Sequence, residues 1–253
     1  MECGGRSSPI QSADEIDYTS QTSVEWLEFL GGKFKIGGHH EMRERWLEVG
    51  PFLLARAETT VLQYATCVAA GGCTAPGPTS CDRSWDKPSN FPLPVNYVSW
   101  AQASDFCHWV GGRLPSEVEW EFAIQGSGQG GSEKFGKDAK SCDATGAIGE
   151  NCDGCKNDQR WPVCTADNYV PTGPCDIGDN FDEWVADEGM APGLEDIDSA
   201  AGYRVVRYGP GDRYDAHFGG VLDGRWSKPP QTQEVNLGFR CAKSTQTIDG
   251  PGS

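Results

Sequence analysis

The chain has 253 residues, enough to bury one substantial core, so a single domain accounts for it. Hydrophobic residues make up 37% and aromatic residues 10%, while Gly and Pro number 33 and 16, a composition that excludes a helical bundle and predicts an ordered, loop-rich fold. With 21 basic against 37 acidic side chains the formal net charge is −16, which repels phosphate backbones and anionic lipid heads and argues against nucleic-acid or membrane-surface binding.

Residues 1–23 are rich in Ser, Thr, Gln and Asp and add little to a core, so they read as a flexible tether. Within it, Met1-Glu2-Cys3-Gly4-Gly5-Arg6-Ser7-Ser8 resembles the start of a bacterial lipoprotein after its signal peptide, with Cys3 as the lipid-bearing residue; an arbitrary chain start with a free cysteine is the alternative. The N-terminus has no charged segment followed by an apolar one, so it reads as a mature chain. No apolar run approaches the ~20 residues that span a bilayer.

From Val24 the pattern changes. Trp26, Leu27, Phe29 and Leu30 precede Gly31-Gly32, and Phe34 and Ile36 then alternate with lysines, predicting short half-buried strands. Phe52-Leu53-Leu54-Ala55-Arg56 is a further candidate strand. Thr59 or Thr60 caps a helix whose Val61, Tyr64, Ala65 and Val68 share one face, and Gly71-Gly72 ends it. Residues 71–93 carry Pro76, Pro78, Pro88 and Pro92 and read as a long stapled loop. Trp100, Ala103, Cys107 and Val110 recur at helical spacing, and Ser116 with Glu119 forms the capping box of another helix between Pro115 and Gly126. Residues 126–175 are rich in Gly, Asp and Cys with little periodicity. Tyr203–Val206 and Gly238–Ala242 read as closing strands, and residues 245–253 as a disordered tail.

Eleven cysteines are too many for a reducing cytosol unless they hold metal or do redox work, so the chain is expected to be periplasmic, outer-membrane-anchored or secreted. Cys67, Cys73 and Cys81 form one group; Cys142, Cys152, Cys155, Cys164 and Cys175 form another. Both groups are odd, so full pairing within these eight requires a bridge between the Pro-rich and Asp-rich loops. Cys152-Asp153-Gly154-Cys155 has zinc-knuckle spacing, which Cys164 and Cys175 could complete to four thiolates.

The segment Pro94-Val95-Asn96-Tyr97-Val98-Ser99-Trp100, continuing through Gly111-Gly112-Arg113-Leu114-Pro115-Ser116-Glu117 to Glu119-Trp120-Glu121-Phe122-Ala123, resembles the central signature of the formylglycine-generating-enzyme (sulfatase-modifying factor) family. Gly31-Gly32-Lys33-Phe34, Pro51-Phe52 through Glu58-Thr59-Thr60, and Asn236-Leu237-Gly238-Phe239-Arg240-Cys241-Ala242 follow in family order, so the resemblance covers roughly residues 24–244. It implies one α+β domain of C-type-lectin-like fold with little regular secondary structure, stapled by disulfides. Most of the matching positions are scaffold. The resemblance also pairs Cys107 with Cys241, a bridge worth about 4–5 kcal/mol on the chain-entropy model.

The family's cation-binding signature corresponds to Cys175-Asp176-Ile177-Gly178-Asp179-Asn180-Phe181-Asp182-Glu183-Trp184-Val185. By resemblance, Asp176 and Glu183 supply side-chain oxygens and Asp179 and Phe181 backbone carbonyls, a hard oxygen set suited to structural Ca²⁺. Asp179 replaces the usual Gly and Asp182 the usual Trp, and a plain solvated acidic loop is the competing reading. A second family calcium site has no counterpart among residues 142–175, where disulfides stand in its place.

The family's enzymes follow an Arg-Gly-Gly-Ser-like motif with two cysteines that bind copper(I), a soft metal that needs thiolates. In Arg207-Tyr208-Gly209-Pro210-Gly211-Asp212-Arg213-Tyr214-Asp215-Ala216-His217-Phe218, Arg213 and Phe218 occupy those places, and no cysteine lies between Cys175 and Cys241. Formylglycine generation is therefore expected to be absent. Arg207, Tyr208, Arg213, Tyr214, Asp215, His217, Phe218, Arg225 and Trp226 instead form an aromatic and charged set of the kind found at binding hot spots. These features predict a non-catalytic recognition module that binds a protein, glycan or small molecule of the cell envelope through loops 207–228. A divergent oxidoreductase with another metal centre is the alternative, and a structural part in envelope assembly a third.

Overall fold

The computed structural model describes residues 23–36, 45–77, 85, 87–126, 161–165, 173–178, 180–189, 202–207 and 225–245. The tether up to residue 22 and the tail beyond Thr245 lie outside the described residues. The strands, in chain order, are β1 (Trp26–Phe29), β2 (Gly32–Ile36), β3 (Arg45–Val49), β4 (Phe52–Ala55), β5 (Asp182–Glu188), β6 (Arg204–Arg207), β7 (Arg225–Lys228), β8 (Leu237–Phe239) and β9 (Ala242–Ser244). The helices are α1 (Val61–Ala69), α2 (Trp100–Trp109) and α3 (Glu117–Gly126), with one 3₁₀ turn at Pro88–Asn90 inside the Pro-rich loop.

Each helix begins where its cap dictates. Thr60 Oγ1 accepts from the Gln63 N–H while Gln63 Oε1 accepts from the Thr60 N–H, a reciprocal box that selects Thr60 over Thr59 as the cap of α1. Ser99 and Gln102 repeat the device at α2. At α3, Ser116 and Glu119 close the box, and Arg113 grips the same carboxylate bidentately at 2.7 and 2.6 Å.

Three sheets result, with strand orders β1-β4-β9, β2-β3 and β7-β6-β5-β8. One core cluster joins α1, α2 and β8, where the Tyr64, Phe106 and Phe239 rings pack with centroids 5.6–6.4 Å apart. The other lies beneath α3, where Trp120, Ala123 and Ile124 meet Phe52, Leu54, Val185 and Val205.

The segment read as one strand from Gly238 to Ala242 is two strands in different sheets. β8 runs parallel to β5 and β9 antiparallel to β4, and Arg240 and Cys241 form the passage between them. Period-2 alternation cannot show this break, because Leu237 to Ala242 are all buried. Gly238 sits where a Cβ would come within 2.9 Å of the Val95 carbonyl, so only glycine fits the close approach.

Three disulfides join described cysteines: Cys67–Cys73, Cys107–Cys241 and Cys164–Cys175. The family-implied bridge from α2 to Cys241 is present. Because Cys164 and Cys175 are joined to each other, the four-thiolate zinc arrangement with Cys152 and Cys155 is overturned: disulfide sulfur offers no thiolate. Cys73 pairs within its own group. Cys3, Cys81, Cys142, Cys152 and Cys155 lie outside the described residues, as does the expected bridge between the two loops.

Candidate functional site

Two buried charge clusters flank Trp120 of α3. In the first, Arg240 points inward from the passage between β8 and β9 and clasps Glu183 of β5: Nε lies 3.0 and 2.8 Å from the two carboxylate oxygens and Nη2 2.7 Å from Oε1. Trp120 Nε1–H donates to the same carboxylate at 3.1 Å. The remaining guanidinium hydrogens reach backbone carbonyls, Arg56 at 3.1 Å and Cys175 at 3.0 Å. Both side chains are 0% exposed, so each charge depends on the other.

Two further carboxyl groups lie near this pair. Glu58 accepts from Asn180 Nδ2 at 2.9 Å and from the Phe181 N–H at 3.2 Å. Burial first, then repulsion from Glu183 and Asp176, holds its carboxyl well above the usual carboxylate range against the pull of Arg240 and Asn180. Asp176 accepts the Cys164 N–H on Oδ2 at 2.7 Å, while its Oδ1 is buried without a hydrogen bond. Burial is also the main cause of its raised pKa. Three carboxyl groups thus lie near one guanidinium, and burial favours the neutral forms of Glu58 and Asp176.

The second cluster joins α3 to the β6–β7 hairpin. Glu117 and Glu121 stand one helical turn apart, a repulsive spacing unless cations face it. Arg207 at the end of β6 donates to Glu117 at 3.0 Å and to Glu121 at 2.5 Å, and Arg225 at the start of β7 donates to Glu117 at 2.8 Å and to the Gly189 carbonyl at 2.5 Å. Arg207 also lies over the Trp120 ring, 5.1 Å from its centroid. Asp187 accepts the Glu117 N–H, and burial with the nearby Glu117 carboxylate pushes its pKa up.

The residues expected at the site are placed unequally. Arg207 and Arg225 are not offered to a ligand: they lie on paired strands in register with each other, with side chains 1% and 3% exposed, because buried glutamates require them. Trp226 lies in β7 with its side chain outside the described residues, and Tyr208, Arg213, Tyr214, Asp215, His217 and Phe218 lie outside them altogether. Asp176, Phe181 and Glu183 come together around Glu58 and Arg240, and Asp179 is outside the described residues. Glu183 is corrected from cation ligand to partner of Arg240, since that guanidinium and Trp120 occupy both of its oxygens. Among the described residues no three His, Cys, Asp or Glu side chains are grouped to hold a metal ion. Of the expected side-chain ligands this leaves Asp176, which lies beside Trp161 and Arg240.

The model of the sulfatase-modifying factor enzyme 1-like domain matches residues 13–245. The chain belongs to the sulfatase-modifying factor family. Within it, this chain is 31% identical over 156 residues to the mouse inactive C-alpha-formylglycine-generating enzyme 2, a match covering 60% of this chain and 49% of the mouse protein. It is 29% identical over 178 residues to the formylglycine-generating enzyme of Streptomyces coelicolor, covering 62% and 54%. The chain thus spans about half the length of the curated relatives it matches. The sulfatase-modifying factor fold is shared with PvdO from Pseudomonas aeruginosa, at a TM-score of 0.64 and 20% identity over 89% of this chain and 96% of that structure.

Sequence reasoning missed Glu58, Glu117, Glu121, Asp187 and Arg240 as members of charge clusters. A usable signal existed for two of them: Glu117 and Glu121 fall on one face of a helix whose other residues are largely apolar, which predicts buried carboxylates in need of cations. Nothing local marks Glu58 or Arg240, whose partners lie more than a hundred and about sixty residues away, respectively.

Proposed function

We propose that this chain is an extracytoplasmic, non-catalytic recognition module of the sulfatase-modifying factor family, which presents residues 208–224 to a protein, glycan or small-molecule partner of the cell envelope. The observation that carries the reading is the shared carboxylate of Glu117. It holds Arg207 and Arg225, the residues on either side of that segment, so the feet of the segment are fixed to α3 whatever sequence lies between them. Such a clasp favours binding because a fixed base reduces the ordering cost of a contact segment. The place that carries two thiolates in the copper enzymes carries Arg213 and Phe218 here, which removes the donors that copper(I) chemistry needs. Three disulfides support an oxidising compartment. Among the described residues no helix is long and apolar enough to cross a membrane. A lipid at Cys3 belongs to the same reading.

The proposal includes a structural Ca²⁺ held by the Asp176 side chain and by the backbone carbonyls of Asp179 and Phe181, with Glu183 left to its pair with Arg240. The test pairs elemental analysis of the purified chain with an intact-mass assay on a cysteine-containing sulfatase peptide, with copper and oxygen supplied. Calcium in the protein and an unchanged peptide are expected. Conversion of the peptide thiol to an aldehyde, or a stoichiometric redox metal, transfers the chain to the oxidoreductases.

A further inference from the structure

The β2–β3 hairpin alternates between two faces, with cross-strand pairs Lys33–Glu48, Phe34–Leu47 and Lys35–Trp46. Phe34 is buried and its ring meets Phe122 of α3 edge-on at 5.3 Å, so Phe34 and Leu47 mark the inner face. Gln125 of α3 donates to the Lys35 carbonyl at 3.1 Å, a second tie to the same helix. The base of the hairpin is fixed as well: Gly31 has φ of 73°, and a Cβ there would lie 2.3 Å from the Val49 carbonyl oxygen. The outer face therefore stands on a firm support.

That outer face presents Lys33, Lys35, Trp46 and Glu48, all exposed. Three of these are ordinary surface residues, and Trp46 is not. It is 68% exposed, whereas Trp109 is 40% exposed and Trp120 and Trp184 are fully buried. Charge and area together define what it can receive. The chain carries a net charge of −16, yet this face holds two lysines against one glutamate. The Lys33–Glu48 pair, at 3.9 Å with both side chains 71% exposed, is weak and screened by solvent, so Lys33 can turn to a ligand. A locally positive face on an acidic chain selects an anion. Five strand residues span about 17 Å, and two strands about 5 Å apart give a footprint of roughly 200 Å², far below the ~800 Å² per partner of a stable protein interface. A face this small suits a few sugar rings better than a protein or a second copy of the chain.

We propose that the outer face of the β2–β3 hairpin is a platform for uronic-acid glycans, with a sugar ring stacked on Trp46 and its carboxylate paired with Lys35 or Lys33. An indole face carries partial negative charge and receives the C–H bonds that a pyranose ring offers on one side. A uronic acid adds a carboxylate at the edge of that ring. Lys35 stands directly opposite Trp46, where Cβ atoms are about 4.5–5.5 Å apart, so an ammonium group is within reach of that edge. The platform lies on a different sheet from Arg207 and Arg225, and it does not depend on what residues 208–224 bind.

Calorimetric titration of the full chain at low salt, with tetragalacturonate and with its fully methyl-esterified form, tests this. The ester keeps the rings and removes the charge. The acid should bind, and the ester should bind about tenfold more weakly or not at all. Trp46→Thr keeps a strand-forming residue at an exposed position and should weaken binding of the acid by about tenfold or more. Trp46→Tyr should retain most of the affinity, and Lys33→Gln/Lys35→Gln should reduce the acid to the level of the ester. If Trp46→Thr does not fold, the tyrosine and lysine variants decide. No binding of the acid, equal binding of acid and ester, or undiminished binding in Trp46→Thr overturns the platform. Binding that survives Trp46→Thr but is lost in Arg213→Ala/Tyr214→Ala assigns the sugar to residues 208–224, which overturns the platform and leaves the recognition reading standing.

Discussion

Replacing Glu117 with Gln tests whether the hairpin β6–β7 is held by a buried carboxylate. Glu117 is 0% exposed and accepts from Arg207 Nη1 at 3.0 Å and from Arg225 Nε at 2.8 and 3.0 Å. The amide keeps the shape and one acceptor oxygen but removes the charge. Arg207 retains Glu121, whereas Arg225 keeps its hydrogen bond to the Gly189 carbonyl and only the weaker pull of Asp187. Breaking one partner out of a buried pair costs about 3–5 kcal/mol, because the other charge is left behind in a low dielectric. For a chain of this size each kcal/mol moves Tm by about 2–4 °C, so a fall of about 6–20 °C is expected. Scanning calorimetry with urea unfolding measures both quantities. Glu48→Gln is the control: its pair with Lys33 spans 3.9 Å, with both side chains 71% exposed, and exposed pairs contribute about 0–1 kcal/mol. A loss in the Glu117→Gln chain no larger than in this control would refute the buried clasp.

Two further outcomes follow from the same geometry. Cys107–Cys241 spans 134 residues and Cys67–Cys73 only 6, so on the chain-entropy model their removal should cost about 5 and about 2 kcal/mol, respectively; equal losses in paired Cys→Ser variants would show that loop closure is not what the long bridge supplies. Asp187 is half-buried with a raised pKa, so in the window between the ordinary carboxylate range and its folded value the native chain holds more protons than the unfolded one, and Asp187's contribution to stability falls as pH rises through that window. Asp187→Asn keeps an acceptor for the Glu117 N–H and should gain on the unsubstituted chain as pH rises. A pH-independent difference in Tm between the two would contradict this.

Much of the scaffold is legible in the residues themselves. The capping box at Ser116 and a cap at Thr59 or Thr60 mark two helix starts, and the spacing of Val61, Tyr64, Ala103 and Cys107 marks the faces that turn inward. These are local signals, carried by hydrogen bonds between residues three apart and by a 3.6-residue period. The missing thiolate pair is likewise a plain fact of sequence, because no packing can supply an absent sulfur.

The roles of the charged residues were decided only in three dimensions. Arg207 and Arg225 look like surface recognition residues in a Gly-rich stretch, and Glu183 looks like a calcium ligand in an acidic one. Folding instead brings Glu117 and Glu121 under the hairpin and carries Arg240 between two sheets onto Glu183. Whether a charge is solvated or must be matched depends on the dielectric that the rest of the chain builds around it, and that property belongs to the assembled core rather than to any stretch of residues.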